Sequence, residues 1–210
     1  ETKILLSPGA PSRHVIPIGK EDSSNENANK LRIVTVGRLH PRKGQDRMLD
    51  ALDNLSSDLK TIVEYLLVGP ESNSQYANEI QKKSKRIGVS VKFLGDLPAP
   101  NLKEVYANSD IFALTSTSQL RSVEGFGFVY LEAASHGLPA IAHKIGGVED
   151  AVVHGVTGLL VPHDEPSDLS QAIERLVLDP NLRRNLGEAA RKRAKDFSWE
   201  RPARELYGED

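Results

Sequence analysis

Two stretches of this sequence set charged side chains beside glycines in a way that could hold a phosphorylated ligand. The first is GRLHPRKG, Gly37 to Gly44, with Arg38 and Lys43 flanking one turn. A guanidinium fork and a compact ammonium together suit an anion with several oxygens, such as a diphosphate, and each charge-assisted contact contributes on the order of 1.5–3 kcal/mol. The competing reading is a pair of solvated loop charges. The motif is neither a GxGxxG dinucleotide fingerprint nor a GxxxxGK[ST] phosphate loop. The second stretch is EGFGFVYLEAASHGLPAIA, Glu124 to Ala142, in which Gly125 and Gly127 bracket a turn. A helix starting near Gly127 would aim the amides of Gly127 to Tyr130, with the positive end of its dipole behind them, at an anion. Glu124 falls in the loop before that helix and Glu132 on its second turn, so the two carboxylates should flank the anion pocket. Carboxylates accept hydrogen bonds from vicinal hydroxyls, so one could reach a sugar and the other a ribose. The competing reading is a helix-cap charge at Glu124 and a partly buried helix residue at Glu132.

What must position these groups is legible from the apolar pattern. Six short apolar runs recur: Leu31 to Val36, Val63 to Val68, Val91 to Leu94, Ile111 to Thr115, Pro139 to Ala142 and Gly158 to Val161. They read as buried strands. Between them lie stretches with helical spacing, such as Met48, Leu49, Leu52 and Leu55, or Leu169, Ala172, Ile173 and Leu176. The alternation predicts an α/β fold, a doubly wound parallel sheet of about six strands with helices on both faces. In such a sheet ligands bind outside the carboxyl ends of the strands, and glycines gather there: Gly37, Gly69, Gly95, Gly127, Gly146 and Gly147. After Asp179 the pattern is helical only, through Asn181 to Asp196 and then Ser198 to Tyr207.

Ahead of the first strand, residues 1–29 read differently. Pro8, Gly9, Pro11 and Pro17 break the apolar stretch from Ile4 to Ile18, and EDSSNENAN is almost wholly polar. We expect an interdomain linker and mobile loop there, with the compact domain spanning 30–210. The start at Glu1 suits a fragment of something longer. With 27 basic and 29 acidic residues the net charge is −2, so no strong overall field invites nucleic acid and any anion site must be local. The absence of cysteine excludes disulfides and thiolate metal sites and fits a reducing, cytoplasmic setting. His40, His136, His143, His154 and His163 lack metal-ligand spacing, so no metal and no cofactor are expected. The basic runs KKSKR, Lys82 to Arg86, and RKRAK, Arg191 to Lys195, could give peripheral contact with anionic lipid, although a solvated helix face is the commoner use of such runs.

The order and spacing of these pieces resemble the carboxyl-terminal domain of the retaining glycosyltransferases of family four, which have two facing Rossmann-like domains. The resemblance runs through GRLHPRKG, LLVGP, VKFLGDLPAPNLKEVYANSDIFALTS, the glutamates Glu124 and Glu132, GLPAIAHKIGGVEDAVVHGVTGLLVP and FSWERPARELY. It implies a nucleoside diphosphate sugar as donor. Arg38 and Lys43 would bind its diphosphate, Glu132 the ribose hydroxyls, and Glu124 the donor sugar. The backbone of Gly125, Phe126 and Gly127 would meet the sugar and β-phosphate, and the turn near Leu97 would lie against the base. Catalysis would rest on Glu124, Arg38 and Lys43. An amino-terminal acceptor domain would be missing from this chain, which alone should be inactive. Two departures stand out. ILLSPGAP replaces the usual proline, asparagine, glycine stretch, and the loop TSTSQLRSVEGFG is longer than usual, similar to that of phosphatidylinositol mannosyltransferase-like members. Competing classes are a non-catalytic nucleotide-sugar-binding module, which would not need Glu124, and a nicotinamide-dependent oxidoreductase, which would need the glycine fingerprint that GRLHPRKG replaces.

Overall fold

The computed structural model describes residues 30–117, 127–163 and 165–197. The expected linker, the loop residues Glu124, Gly125 and Phe126, and the expected helix 198–207 lie outside the described residues. Among the described residues the strands are β1 (Leu31–Val36), β2 (Val63–Val68), β3 (Ser90–Gly95), β4 (Ile111–Leu114), β5 (Ala140–His143) and β6 (Gly158–Val161). All pair in parallel in the order β3-β2-β1-β4-β5-β6. The helices are α1 (Gln45–Asp53), α2 (Ser57–Ile62), α3 (Ser74–Ser84), α4 (Ala99–Ala107), α5 (Phe128–Ser135), α6 (Val148–Ala151), α7 (Pro166–Leu178) and α8 (Pro180–Asp196). The predicted doubly wound α/β sheet is therefore the observed one.

Because side chains alternate across a strand, each strand feeds two cores. Ile33, Tyr65, Leu67, Ile111 and Ile141 meet Met48, Leu49 and Leu52 of α1, Ile80 of α3 and Ile173 of α7 on one face. Val34, Leu66, Phe112, Leu114 and Ala142 meet Val105 and Tyr106 of α4 and Tyr130 and Ala133 of α5 on the other. Three expected strands shift at their ends, and β3 runs a residue further each way, Ser90–Gly95 where Val91 to Leu94 is expected. β4 stops at Leu114 because Thr115 leaves the ladder and its hydroxyl donates to Gly44 O at 2.7 Å. β5 begins after Pro139, whose ring nitrogen has no hydrogen to donate, and extends to His143 opposite Val161.

Helix α8 closes the far side of α5. Gly187 lies against the Gly137 carbonyl so closely that a methyl group would overlap it. Arg191 Nη2 then donates to His136 O at 2.9 Å, and Arg193 donates to the carbonyls of Asp150 and Ala151. These cations satisfy the free carbonyls that end α5 and α6, the favourable place for positive charge on a helix. Two of the basic side chains of RKRAK thus serve the fold. In KKSKR, Lys83 does the same, pairing with Asp50 and donating to Asp46 O.

A charged cluster sits near the amino ends of β1 and β2. Glu64, with 3% of its side chain exposed, accepts from Arg32 Nε at 3.1 Å and pairs with Lys92 Nζ at 3.0 Å. Burial pushes its carboxyl up, but hydrogen bonds and charge from Lys92 and Arg32 outweigh that and hold it below its ordinary value. A group depressed in the folded state stabilises the fold above its unfolded pKa, and the contribution is lost as pH falls through the folded one. Thermal melting followed from about pH 7 to about pH 3 should show stability declining in the acid range, and Glu64→Gln should flatten that decline. An unchanged slope in the variant would remove Glu64 from the account.

Candidate functional site

The strand order turns at the β1–β4 boundary: the chain runs from β1 outward to β3, then returns to β4 and runs outward to β6. That boundary opens a crevice at the carboxyl ends, where α/β sheets receive ligands. The turn from Gly37 to Gly44 leaves β1 at this point. His40 enters a short 3₁₀ turn, Pro41–Lys43, and its Nδ1 accepts from the Arg42 amide at 3.1 Å. Gly44 ends the turn in the left-handed region, at φ 69°, and opens α1.

The turn is tied to β4 by its backbone. Besides the Thr115 hydroxyl on Gly44 O, the Thr117 amide donates to Arg42 O at 2.8 Å. Gly44 packs so tightly on the Thr115 carbonyl that any side chain there would collide with it. From the other side, Gln45 Nε2 donates to Arg38 O at 2.9 Å, while Gly37 N donates to Val68 O at 2.8 Å and Leu39 N to Pro70 O at 3.0 Å. The base of α5 has its own tie, Tyr130 Oη to Leu114 O at 2.9 Å.

Within this frame the expected residues fall as follows. Arg38 is exposed, and the Lys43 chain folds back over the end of β1, its Cδ and Cε 3.8 Å from where a side chain on Gly37 would begin. Both cations therefore belong to one turn at the crevice. Gly127, at φ 65°, caps α5, as expected of the helix start. The Tyr130 amide is a correction: it donates to Gly127 O at 2.9 Å, so it closes the first turn instead of facing a ligand. Glu132 is exposed on the second turn of α5 and accepts from Tyr106 Oη at 3.3 Å. Leu97 follows β3 at the sheet edge, half-buried against the α4–α5 core.

Sequence reasoning missed the buried polar floor of the crevice. Thr115, Ser116, Thr117 and His143 are all buried at the carboxyl ends of β4 and β5, and His143 Nδ1 lies 3.0 Å from Ser116 O. Burial lowers the His143 pKa, so the ring is held neutral and suited to donate to that carbonyl. No periodicity could reveal this, since the contact joins residues 27 apart in sequence. A cleft of about 150 Å³ lined by Arg32, Glu64, Lys92 and Glu104 lies elsewhere, toward the amino ends of β1 and β2. Its cations are already directed at Glu64, which makes it the weaker place for an anion. Among the described residues no cluster of His, Cys, Asp or Glu is arranged to hold a metal ion.

A family model described as glycosyl transferases group 1 matches residues 19–193. The chain belongs to this family. It is 33% identical over 172 residues to a D-inositol 3-phosphate glycosyltransferase of Kribbella flavida, a match covering 79% of this chain and 39% of that protein. It is 32% identical to the GDP-mannose-dependent alpha-(1-6)-phosphatidylinositol monomannoside mannosyltransferase of Mycolicibacterium smegmatis, covering 80% and 44% respectively. Among solved structures, Anabaena HepE in complex with UDP-glucose superposes with a TM-score of 0.72 at 31% identity, over 80% of this chain and 45% of that one. The chain thus spans half or less of the length of these relatives.

As a group 1 glycosyl transferase domain, the chain should be sensitive to the close approach at Gly44. Gly44→Ala should cost more stability than Gly155→Ala, although both glycines have φ near 70°, because only Gly44 has a carbonyl where the methyl would go. The shared left-handed strain costs about 1–2 kcal/mol, and the overlap at Gly44 adds to it. Denaturant unfolding of the two variants checks this, and equal losses would show that the turn does not rest on Thr115.

Proposed function

We propose that this chain is the donor-binding half of a retaining glycosyltransferase that moves a sugar from a nucleoside diphosphate to a hydroxyl acceptor. The observation carrying the reading is the placement of Arg38 and Lys43 on one braced turn at the β1–β4 crevice, in a chain of the glycosyl transferase family. In this reading the diphosphate lies between that turn and the amino end of α5 at Gly127. Glu132 holds the ribose hydroxyls, Glu124 the donor sugar, and Leu97 flanks the base, while the backbone of Gly125, Phe126 and Gly127 meets the sugar and β-phosphate.

The chemistry asked of these groups is electrostatic. As the bond from the anomeric carbon to the β-phosphate oxygen breaks, its electron pair goes to the diphosphate and the sugar becomes oxocarbenium-like. Arg38, Lys43 and the helix terminus stabilise the departing charge because they are fixed before it develops. A millionfold acceleration needs about 8 kcal/mol, more than two partly solvated cations and one helix end contribute. The remainder is assigned to holding the acceptor in attack geometry, worth about 7–11 kcal/mol, and to excluding water with a facing domain. No metal or cofactor enters this scheme.

Two measurements test it. By calorimetry the chain should bind UDP or GDP more tightly than the matching monophosphate, and Lys43→Ala should weaken the diphosphate roughly tenfold while leaving the nucleoside almost untouched. Equal affinity for mono- and diphosphate would remove the diphosphate site. Incubated with labelled nucleotide sugar and membrane or glycan acceptors, this chain should bind donor without transferring sugar, whereas a longer protein carrying the facing domain should transfer it. Transfer by the chain alone at comparable rates would contradict the half-site reading.

A further inference from the structure

Glu132 sits on an exposed helix surface, yet its carboxylate meets the hydroxyl of a side chain from the neighbouring helix. The side chain of Tyr106, fully buried near the end of α4, runs along α5 and touches it at two positions one turn apart. Its ring stacks on His136, with centroids 5.3 Å apart and planes inclined 23°, and its hydroxyl reaches Glu132 Oε2 at 3.3 Å. Residues 132 and 136 share a helix face by the i, i+4 rule, so one rigid ring registers both. The ring is itself wedged: Phe112 of β4 lies 6.4 Å away, tilted, and Phe112 meets Tyr130 of α5 edge-on at 5.3 Å. Below, the Arg191 contact on His136 O holds the same end of α5.

We infer that Tyr106 is a positioning residue that fixes the Glu132 carboxylate for a ribose diol. The inference rests on the ribose reading of Glu132 given above. An exposed glutamate on a helix samples several rotamers, and ordering it on binding costs conformational entropy. A phenol that donates to Oε2 meets that cost beforehand and leaves Oε1, with the second lone pair of Oε2, to accept from two vicinal hydroxyls. Burial, and then the Glu132 charge, push the phenol pKa well above its ordinary value, so it stays a donor throughout the working range of pH.

The test compares three ligands, UDP, its 2′-deoxyribose counterpart and inorganic pyrophosphate, in calorimetric titrations of the chain and of Tyr106→Phe, Glu132→Gln and the double variant. GDP and its 2′-deoxy form replace the uridine pair if GDP binds more tightly. Tyr106→Phe keeps the ring in the core and removes only the hydroxyl. It should weaken the ribonucleotide about three- to tenfold and narrow its advantage over the deoxy form, with pyrophosphate binding unchanged within about twofold. The double variant should lose no more than Glu132→Gln alone. Replacing Tyr106 with 4-aminophenylalanine, which restores a donor, should recover the ribonucleotide. Should Tyr106→Phe fail to fold, that replacement set against Glu132→Gln keeps the comparison available, and a selective ribonucleotide loss with the donor present would overturn the inference. If Glu132→Gln is selective for the ribonucleotide but Tyr106→Phe is silent, or weakens all three ligands alike, the positioning role is wrong and the ribose role stands. If Glu132→Gln is not selective, the ribose reading itself fails and the inference with it.

Discussion

The contact on which the candidate site depends is the one between Gly44 and Thr115. It joins the turn that leaves β1 to the end of β4 at the boundary where the winding of the sheet reverses. Two hydrogen bonds and a backbone approach too close for any side chain leave the turn one position relative to β4. Arg38 and Lys43 are long, entropically costly side chains, and their value to an anion depends on the rigidity of the backbone that carries them. That rigidity comes from the end of β2 and the residues after it through Gly37 and Leu39, from α1 through Gln45, and from the segment just after β4 through Thr115 and Thr117.

A second frame sets α5. Its amino end is capped by Gly127 and its first turn tied to β4 by Tyr130, its second turn meets Tyr106 of α4, and its carboxyl end is held by Gly187 and Arg191 of α8. A helix dipole acts on a ligand only where its terminus points, so these contacts decide what the amino end can do. Both frames meet at the carboxyl end of β4, where Thr115, just beyond the strand, donates to Gly44 O and Leu114 O accepts from Tyr130 Oη. The buried His143 below it, kept neutral by burial, adds a donor to Ser116 O without placing a charge under the crevice.

The fold was readable because its signals are local. Apolar runs of strand length alternating with helical spacing placed each strand within a residue of its observed span, and the differences arose where one residue obeyed a tertiary rule, as Thr115 did in bonding to Gly44. Of the site, the turn carrying Arg38 and Lys43 and the helix start at Gly127 were legible from glycine and charge. The Tyr130 amide was misassigned because sequence alone does not tell a free first-turn amide from one closed on the cap carbonyl. The links between Tyr106 and Glu132, between His143 and Ser116, and between Glu64 and its two cations join residues 26 to 32 apart. No single-sequence periodicity reports such pairs. The RKRAK run looked like a surface patch because its charges were visible and the helix carbonyls that Arg191 and Arg193 cap were not.

We propose that the crevice at the β1–β4 boundary is where the sugar parts from the diphosphate of its nucleotide donor. A crystal structure of the chain with a bound nucleoside diphosphate tests it most directly. Phosphate oxygens should lie within hydrogen-bond reach, about 3 Å, of Lys43 Nζ and Arg38, with the diphosphate between their turn and the amino end of α5 at Gly127. A nucleotide seated instead in the cleft of Arg32, Glu64 and Lys92, or anywhere away from the carboxyl ends of β1 and β4, would contradict it.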